Sequence, residues 1–151
     1  MASPIILVVE DDRLIAALLP QVLEDAGYRV LSARNGAEAL SLGRIHQREI
    51  ALLLCDVVLE DRAGPCIARQ LEELSPGMST IFTSGYPLDI LAERRLLTAE
   101  TLAGERTYYL PKPFRPKQLL QLVARVLSTP RTVATAGMKQ GGVAHAGATA
   151  Y

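Results

Sequence analysis

The sequence predicts an α/β fold, a doubly wound parallel sheet of five strands with helices on both faces. Short apolar runs alternate with segments whose apolar residues recur at helical spacing, which is typical of βα units. The runs are nearly uninterrupted, as expected of strands that are buried on both faces. The 151 residues fit one domain, and 49% of them are hydrophobic, which is enough for a sizeable core.

The apolar runs and the turn residues between them predict where each element lies. The first helix runs from Asp12 to about Ala26, where Gly27 ends it, and Pro20 lies inside it and should bend it. Apolar residues recur at helical spacing along this helix, in the sets Leu14, Leu18, Val22 and Ile15, Leu19, Leu23. The strands are predicted near residues 5–9, 28–32, 51–55, 79–83 and 107–111.

Four further helices are predicted. The second follows Asn35-Gly36, and the third follows Gly64-Pro65, with proline in its first turn, and ends at Ser75-Pro76-Gly77. The fourth runs from about Leu88 to Leu102, and the fifth starts near Pro116. The apolar positions are Ala37, Leu40 and Ile45 in the second helix, Ile67, Leu71 and Leu74 in the third, and Leu119, Leu120, Val123 and Leu127 in the fifth.

The composition changes after Ser128. Residues 129–151 contain 6 Ala, 4 Gly and 4 Thr, with no Leu, Ile or Phe. Such a segment cannot bury enough apolar surface to offset the entropy lost on ordering. We therefore expect a folded domain over residues 1–128 and a disordered Ala/Gly/Thr-rich tail over residues 129–151.

The bulk composition excludes several classes of partner. Sixteen basic and sixteen acidic residues cancel, so no excess charge favours nucleic acid or an anionic membrane. The apolar runs are too short to span a bilayer, and the N-terminus lacks the basic region of a signal peptide. Cys55 and Cys66 do not form a disulfide framework, and Cys55 should be a buried small hydrophobic residue. We expect a cytoplasmic protein with no nucleic-acid or membrane partner.

Charged and polar residues stand at the ends of four predicted strands. They are Glu10 and Asp11 after the first, Asp56 after the third, Thr83 at the end of the fourth and Lys112 after the fifth. Because ligands bind at the carboxyl edge of such sheets, we expect these side chains to lie together there. Three converging carboxylates repel each other strongly without a cation, and Mg²⁺ prefers carboxylate, water and phosphate oxygens. The sequence therefore predicts a Mg²⁺-dependent site that handles phosphate.

Asp56 has the chemistry of a phosphoryl acceptor. An aspartate is ionised at neutral pH and needs no general base to attack phosphorus, which gives an aspartyl phosphate. Phosphoryl transfer needs mainly positioning and charge neutralisation, which Mg²⁺ and the Lys112 ammonium can supply. The Thr83 hydroxyl can donate a hydrogen bond to a phosphoryl oxygen. Taken singly, Thr83 is an ordinary strand residue and Lys112 a solvated lysine, although a cis Lys112-Pro113 bond would mark a specified turn.

Together these residues resemble the receiver domain of bacterial two-component response regulators, over roughly residues 4–128. The resemblance implies a flavodoxin-like fold with the strand order 2-1-3-4-5 and five helices. The string from Phe82 to Pro87 is also similar to receivers attached to hybrid histidine kinases. The matching motifs are Val8-Val9-Glu10-Asp11-Asp12, Leu54-Cys55-Asp56, Phe82-Thr83-Ser84-Gly85-Tyr86 and Lys112-Pro113-Phe114.

The resemblance implies a phosphoacceptor and a metal site. Asp56 matches the residue that receives phosphate from a histidine kinase or phosphotransfer protein. Glu10 and Asp11 match the Mg²⁺-binding acidic pair, and the backbone carbonyl of Val58 matches a further protein ligand of the metal, beside Asp56 itself.

The resemblance also implies a switch. Thr83 and Lys112 match the groups that hold the phosphoryl group, and Tyr109 matches an aromatic residue whose ring moves between exposed and buried orientations. Ordinary strand packing is the alternative for Tyr109. On this interpretation the protein is a signalling domain that catalyses only its own phosphorylation and dephosphorylation and switches protein–protein interactions.

Two stretches depart from the family pattern. Leu59-Glu60 stand where the family often has Met-Pro, and the segment 84–107 is longer than usual by about one to two helical turns. That segment lies where family members contact partners, so the downstream partner is not predicted. A homodimer through the fourth helix, fifth strand and fifth helix is one arrangement that the resemblance implies.

Several alternatives stay open beside the receiver. One is a pseudo-receiver that never takes phosphate, and another is the receiver portion of a hybrid histidine kinase. The chain starts with Met and carries no kinase or output region, which favours a single-domain regulator. An aspartyl-phosphate phosphatase needs an aspartate where Val58 stands, and a flavin or nucleotide site needs a Gly/Ser/Thr-rich loop where Glu10-Asp11-Asp12 stand.

Overall fold

A computed structural model of the protein describes residues 3–129. Its five strands form one parallel sheet in the order β2-β1-β3-β4-β5, which confirms the predicted fold and strand order. Residues 130–151, on which most of the predicted disordered tail falls, lie outside the described part of the chain. The elements are β1 (Ile5–Val9), α1 (Arg13–Asp25), β2 (Arg29–Ala33), α2 (Gly36–Ile45), β3 (Ile50–Asp56), α3 (Gly64–Leu74), β4 (Ser79–Ser84), α4 (Leu88–Glu93), α5 (Ala99–Leu102), β5 (Thr107–Pro111) and α6 (Pro116–Ser128).

The sheet is buried because helices cover both of its faces. Successive strand residues point to opposite faces, so Leu53 and Cys55 pack with α2, α3 and α4, whereas Leu52 and Leu54 pack with α1 and α6. All seven residues of β3 are buried as a result. Cys55 is fully buried, as predicted, and burial holds the pKa of its thiol well above the ordinary value. Cys55 is therefore a packing residue.

Only one of the two predicted apolar stripes of α1 faces the core. Leu19 and Leu23 are buried, whereas Leu14 is 81% exposed and Leu18 is 57% exposed. Pro20 lies inside the helix, which continues to Asp25. Gly27, two residues after the last residue of the helix, has a φ of 100°. Glycine adopts this left-handed conformation at no steric cost, so it closes the helix as predicted.

The predicted fourth helix over residues 88–102 is wrong, because the structure has two short helices there, α4 and α5. Arg95 adopts a φ of 58°, its N–H donates to the carbonyl of Ala92, and the Leu96 N–H donates to the carbonyl of Leu91. These bonds form the left-handed cap that ends helices. The turn brings Leu97 into the core beside Leu91. Burial of a second leucine outweighs the cost of a left-handed arginine.

The predicted apolar faces of α2 and α6 need correction. Ala37 of α2 is exposed, and Ala39 is buried in its place. Ile45 of α2 is 71% exposed, because it lies in the last turn beyond the reach of the sheet. In α6, Leu119 and Val123 are buried as predicted, but Leu122 and Val126 are the other buried residues, and Leu120 and Leu127 are only partly buried. In residues 3–129, none of the helices has the length and apolarity to cross a membrane.

Candidate functional site

The carboxyl edge of the sheet brings the three predicted acidic ligands together. Glu10 and Asp11 directly follow β1, and Asp56 is the last residue of β3, next to β1 in the sheet. One carboxylate oxygen from each residue lies within 4.8 Å of the others. The parallel topology produces this cluster, because neighbouring parallel strands end at the same edge.

Lys112 joins two of these carboxylates. Its Nζ lies 3.0 Å from Glu10 Oε1 and 3.0 Å from Asp56 Oδ2. Burial favours the neutral amine, but the hydrogen bonds and negative charges of Asp56 and Glu10 prevail and raise the pKa of Lys112. The Lys112-Pro113 peptide bond is cis, as the sequence suggested. Lys112 is therefore a charged partner held inside the cluster.

Glu10 is the most buried of the three acids. Its side chain is 2% exposed, and its second oxygen accepts a hydrogen bond of 3.1 Å from the Asp12 N–H. Burial raises the pKa of Glu10, although the bonds from Asp12 and Lys112 oppose the rise. Asp12 faces away and caps α1 by accepting the N–H groups of Leu14 and Ile15.

Thr83 and Tyr109 lie on the neighbouring strands. Thr83 pairs with Asp56 in the β3–β4 register, and its side chain is buried. Tyr109 pairs with Phe82, the residue before Thr83 in β4. Tyr109 is only 3% exposed. The Tyr109 hydroxyl donates to the Tyr86 carbonyl at 3.1 Å. The predicted switch residue therefore adopts the inward orientation here.

Comparisons with known proteins decide the family. A model of the response regulator receiver domain matches residues 6–124. The chain belongs to the response regulator receiver family. It is 30% identical over 122 residues to the response regulator receiver protein CpdR of Brucella abortus, covering 81% of this chain and 95% of that protein. Members of this family are phosphoacceptor domains of two-component signalling.

Two further relatives are receivers of sensor kinases. The chain is 35% identical over 125 residues to the sensor kinase CckA of Brucella abortus, which is 83% of this chain but only 13% of that protein. The crystal structure of the receiver domain of a hybrid histidine kinase CckA superimposes with a TM-score of 0.67 at 28% identity, covering 82% of this chain and 98% of that one. Receivers of this kind interact with histidine kinases or phosphotransfer proteins, and they generally bind Mg²⁺.

The acidic cluster of this receiver fits Mg²⁺. The ion is a hard cation that takes oxygen ligands and usually one or two carboxylates together with waters. Glu10, Asp11 and Asp56 offer only carboxylate oxygens, and two of the three remain partly accessible. The fit rests on this donor chemistry, because close carboxylates favour a divalent cation among them.

The loop after Asp56 folds back tightly against the end of β3. The Val58 N–H lies 3.4 Å from Asp56 Oδ1, and Val58 forms a bridge with Ala63. The Gly64 N–H donates to the Val57 carbonyl at 2.7 Å. A Cβ on Gly64 would lie 2.4 Å from the Asp56 carbonyl oxygen, so the receiver needs glycine there for close approach. Leu59, which stands where the family often has Met, is buried in the core.

Replacing Gly64 by alanine should destabilise the receiver by about 1–3 kcal/mol, as overpacking generally does. The new Cβ meets backbone atoms of Asp56 and Val57, which have little room to shift. Gly85→Ala is the control, because nothing lies within 4 Å of a Cβ there. Urea denaturation followed by circular dichroism measures both variants, and equal stability of the two would contradict this account.

Sequence reasoning missed the structural importance of Gly64 and Asp61. Gly64 was visible only as a helix-start signal, since glycine before proline fits that position without any close contact. Asp61 carries no sequence signal, because its partners are 24 and 25 residues away in α2.

Proposed function

We propose that Asp56 accepts a phosphoryl group from a histidine kinase or phosphotransfer protein in a Mg²⁺-dependent reaction. The observation that carries this proposal is the arrangement around the Asp56 carboxylate. One of its oxygens lies 3.0 Å from the Lys112 ammonium, and the Glu10 and Asp11 oxygens lie within 4.8 Å. An ionised nucleophile beside a cation and a metal-binding pair is what phosphoryl transfer requires.

In the proposed step, an Asp56 carboxylate oxygen forms a bond to phosphorus. The bond from phosphorus to the donor nitrogen breaks, and its electron pair leaves with the donor's imidazole. Lys112 turns its ammonium from the carboxylate toward a phosphoryl oxygen, and the Thr83 hydroxyl donates to another. The proposed ligands of Mg²⁺ are Glu10, Asp11, Asp56 and the Val58 carbonyl, and the metal offsets the charge of the transferred group.

The proposed output is a change on the surface around β4 and β5. Recruiting the Thr83 hydroxyl to the phosphoryl group would favour one of two arrangements of this surface, a population shift. Tyr109 packs beside this position, and its hydroxyl donates to the Tyr86 carbonyl at 3.1 Å. Release of the ring would break this bond and expose a ring that is now buried, so the phosphorylated site must stabilise the other arrangement by more than one hydrogen bond.

The identity of the downstream protein stays open. A homodimer through α4, β5 and α6, which is the fifth predicted helix, is still a prediction, as is a cytoplasmic location. The relatives include the receiver protein CpdR and a receiver within a longer sensor kinase, so both a free-standing regulator and a portion of a hybrid kinase agree with them. A pseudo-receiver would keep the fold without taking phosphate.

Incubation with a small phosphodonor such as acetyl phosphate tests the proposal. In the presence of Mg²⁺, the intact protein should gain one phosphate by mass spectrometry, and hydroxylamine should remove it because it cleaves acyl phosphates. Chelation of Mg²⁺ should prevent the gain. A folded protein that takes no phosphate from acetyl phosphate or from histidine kinases would favour the pseudo-receiver.

A further inference from the structure

The loop between β3 and α3 is tied to α2 through Asp61. Asp61 Oδ1 accepts the Gly36 N–H at 2.9 Å, and Asp61 Oδ2 accepts the Ala37 N–H at 3.1 Å. The Gly36 N–H contributes most to holding the pKa of Asp61 below its ordinary value. The Arg62 side chain packs on Gly36 and fills the space that a Cβ at Gly36 would need. The Arg62 Nε lies 3.6 Å from Asp61 Oδ2. Asp61 and Arg62 therefore both attach the loop to α2.

Asp61 does more than an ordinary helix cap. The first turn of a helix leaves its N–H groups without partners inside the helix. Asn35, the capping residue that the chain itself places before α2, accepts only the Glu38 N–H, at 2.8 Å. Asp61 takes the two N–H groups that precede it. Because Asp61 belongs to another segment, these bonds fix the loop and the helix relative to each other.

The residue next to Asp61 reaches the acidic cluster. The Glu60 N–H donates to Asp11 Oδ2 at 3.2 Å. One short segment thus joins the N-terminus of α2 to a candidate metal ligand. Val58, whose carbonyl is a proposed ligand, lies two residues before Glu60 in the same loop.

We propose that Asp61 is a positioning residue for the metal site. Its two hydrogen bonds to α2 hold the loop so that the Glu60 N–H orients Asp11 and the Val58 carbonyl stays at the edge of the cluster. This inference rests on the proposed function for the location of the Mg²⁺ site. Partners that orient metal ligands typically govern metal affinity even though they do not touch the ion.

Titration of ¹⁵N-labelled protein with MgCl₂, without any phosphodonor, tests this role. In Asp61→Ala we expect Mg²⁺ to bind about tenfold more weakly, the low end of the loss for such partners. The Glu60 amide resonance should also shift in the metal-free protein, because its bond to Asp11 is lost. Asp61→Asn keeps one acceptor in place and serves as a second variant, with an affinity between those of Asp61→Ala and the wild type.

Two matched variants separate positioning from other effects. Asn35→Ala removes the other cap of α2 and should keep the wild-type affinity for Mg²⁺, even though it lowers stability. Glu60→Gln removes a neighbouring negative charge but keeps the N–H bond to Asp11, so it measures the electrostatic loss alone, which should be clearly smaller than the loss in Asp61→Ala. Unchanged affinity in Asp61→Ala, or an equal loss in either matched variant, would overturn the proposal.

The experiment also distinguishes this inference from the proposed function. A wild-type protein that binds Mg²⁺ but takes no phosphate defeats phosphoryl acceptance and leaves the role of Asp61 testable by affinity alone. A wild-type protein that is phosphorylated while Asp61→Ala keeps full Mg²⁺ affinity overturns only the role of Asp61. A wild-type protein that binds no Mg²⁺ overturns both.

Discussion

The variant Asp56→Asn is expected to take no phosphate from a small phosphodonor under conditions in which the wild type gains one. Asparagine has nearly the same shape, and its side-chain oxygen can still accept the hydrogen bond that Asp56 receives from Lys112. It lacks the negative charge and the nucleophilic oxygen that attack on phosphorus requires. The fold should therefore persist while the chemistry is lost.

Intact-protein mass spectrometry after incubation with acetyl phosphate and Mg²⁺ measures this loss. Asp25→Asn is the control, because Asp25 is an exposed aspartate at the end of α1, far from the carboxyl edge of the sheet. It should be phosphorylated like the wild type. Phosphorylation of Asp56→Asn to the wild-type level would assign the acceptor to another residue.

The variant Lys112→Met is expected to destabilise the metal-free protein by about 3 kcal/mol, the low end for a broken buried ion pair. It keeps the length of the side chain but leaves the buried Glu10 carboxylate and Asp56 without their cation. The pKa of Glu10 is already raised by burial, so this group can take up a proton, which limits the loss. Because the folded-state pKa of Lys112 is raised, its contribution is fully present below the ordinary value of 10.5 and is lost only as the pH rises through the folded-state value.

Urea denaturation followed by circular dichroism tests this expectation, with Lys117→Met, an exposed lysine of α6, as the control. The double variant Glu10→Gln/Lys112→Met should recover part of the stability, because the more buried carboxylate is then neutral and only Asp56 still lacks its cation. Added Mg²⁺ should also stabilise Lys112→Met more than it stabilises the wild type. Equal stability of Lys112→Met and Lys117→Met would mean that the ion pair contributes nothing.

The sequence predicted the sheet well because its signals are local and strong. The predicted bounds of β1 and β5 agree with the structure, and those of β2, β3 and β4 differ by one residue at one or both ends. Strands buried on both faces appear in sequence as apolar runs, so nothing else competes with that interpretation. The residues at the strand ends could be placed on one edge because a parallel topology leaves no other arrangement for them.

The segment after β4 could not be predicted for a physical reason. Apolar residues recur from Leu88 to Leu102, which favours one helix. The helix ends instead at a left-handed Arg95, a conformation that glycine usually signals. After this turn Leu97 is buried in one hydrophobic cluster with residues of the sheet and of α3, and no local pattern contains those partners.

By itself the sequence determined the class of fold, the strands and the five polar residues at their ends, because period and composition act over short distances. Only the tertiary structure decided that Lys112 holds both Glu10 and Asp56, that Gly64 must be glycine and that Asp61 joins the loop to α2. These contacts join residues that lie from 8 to 102 positions apart in the sequence. The need for glycine at position 64 comes from a backbone oxygen that would lie less than 3 Å from a Cβ there. Such distances are set by the packing of helices on the sheet, and a carboxylate acquires its chemistry from the charges that this packing brings beside it.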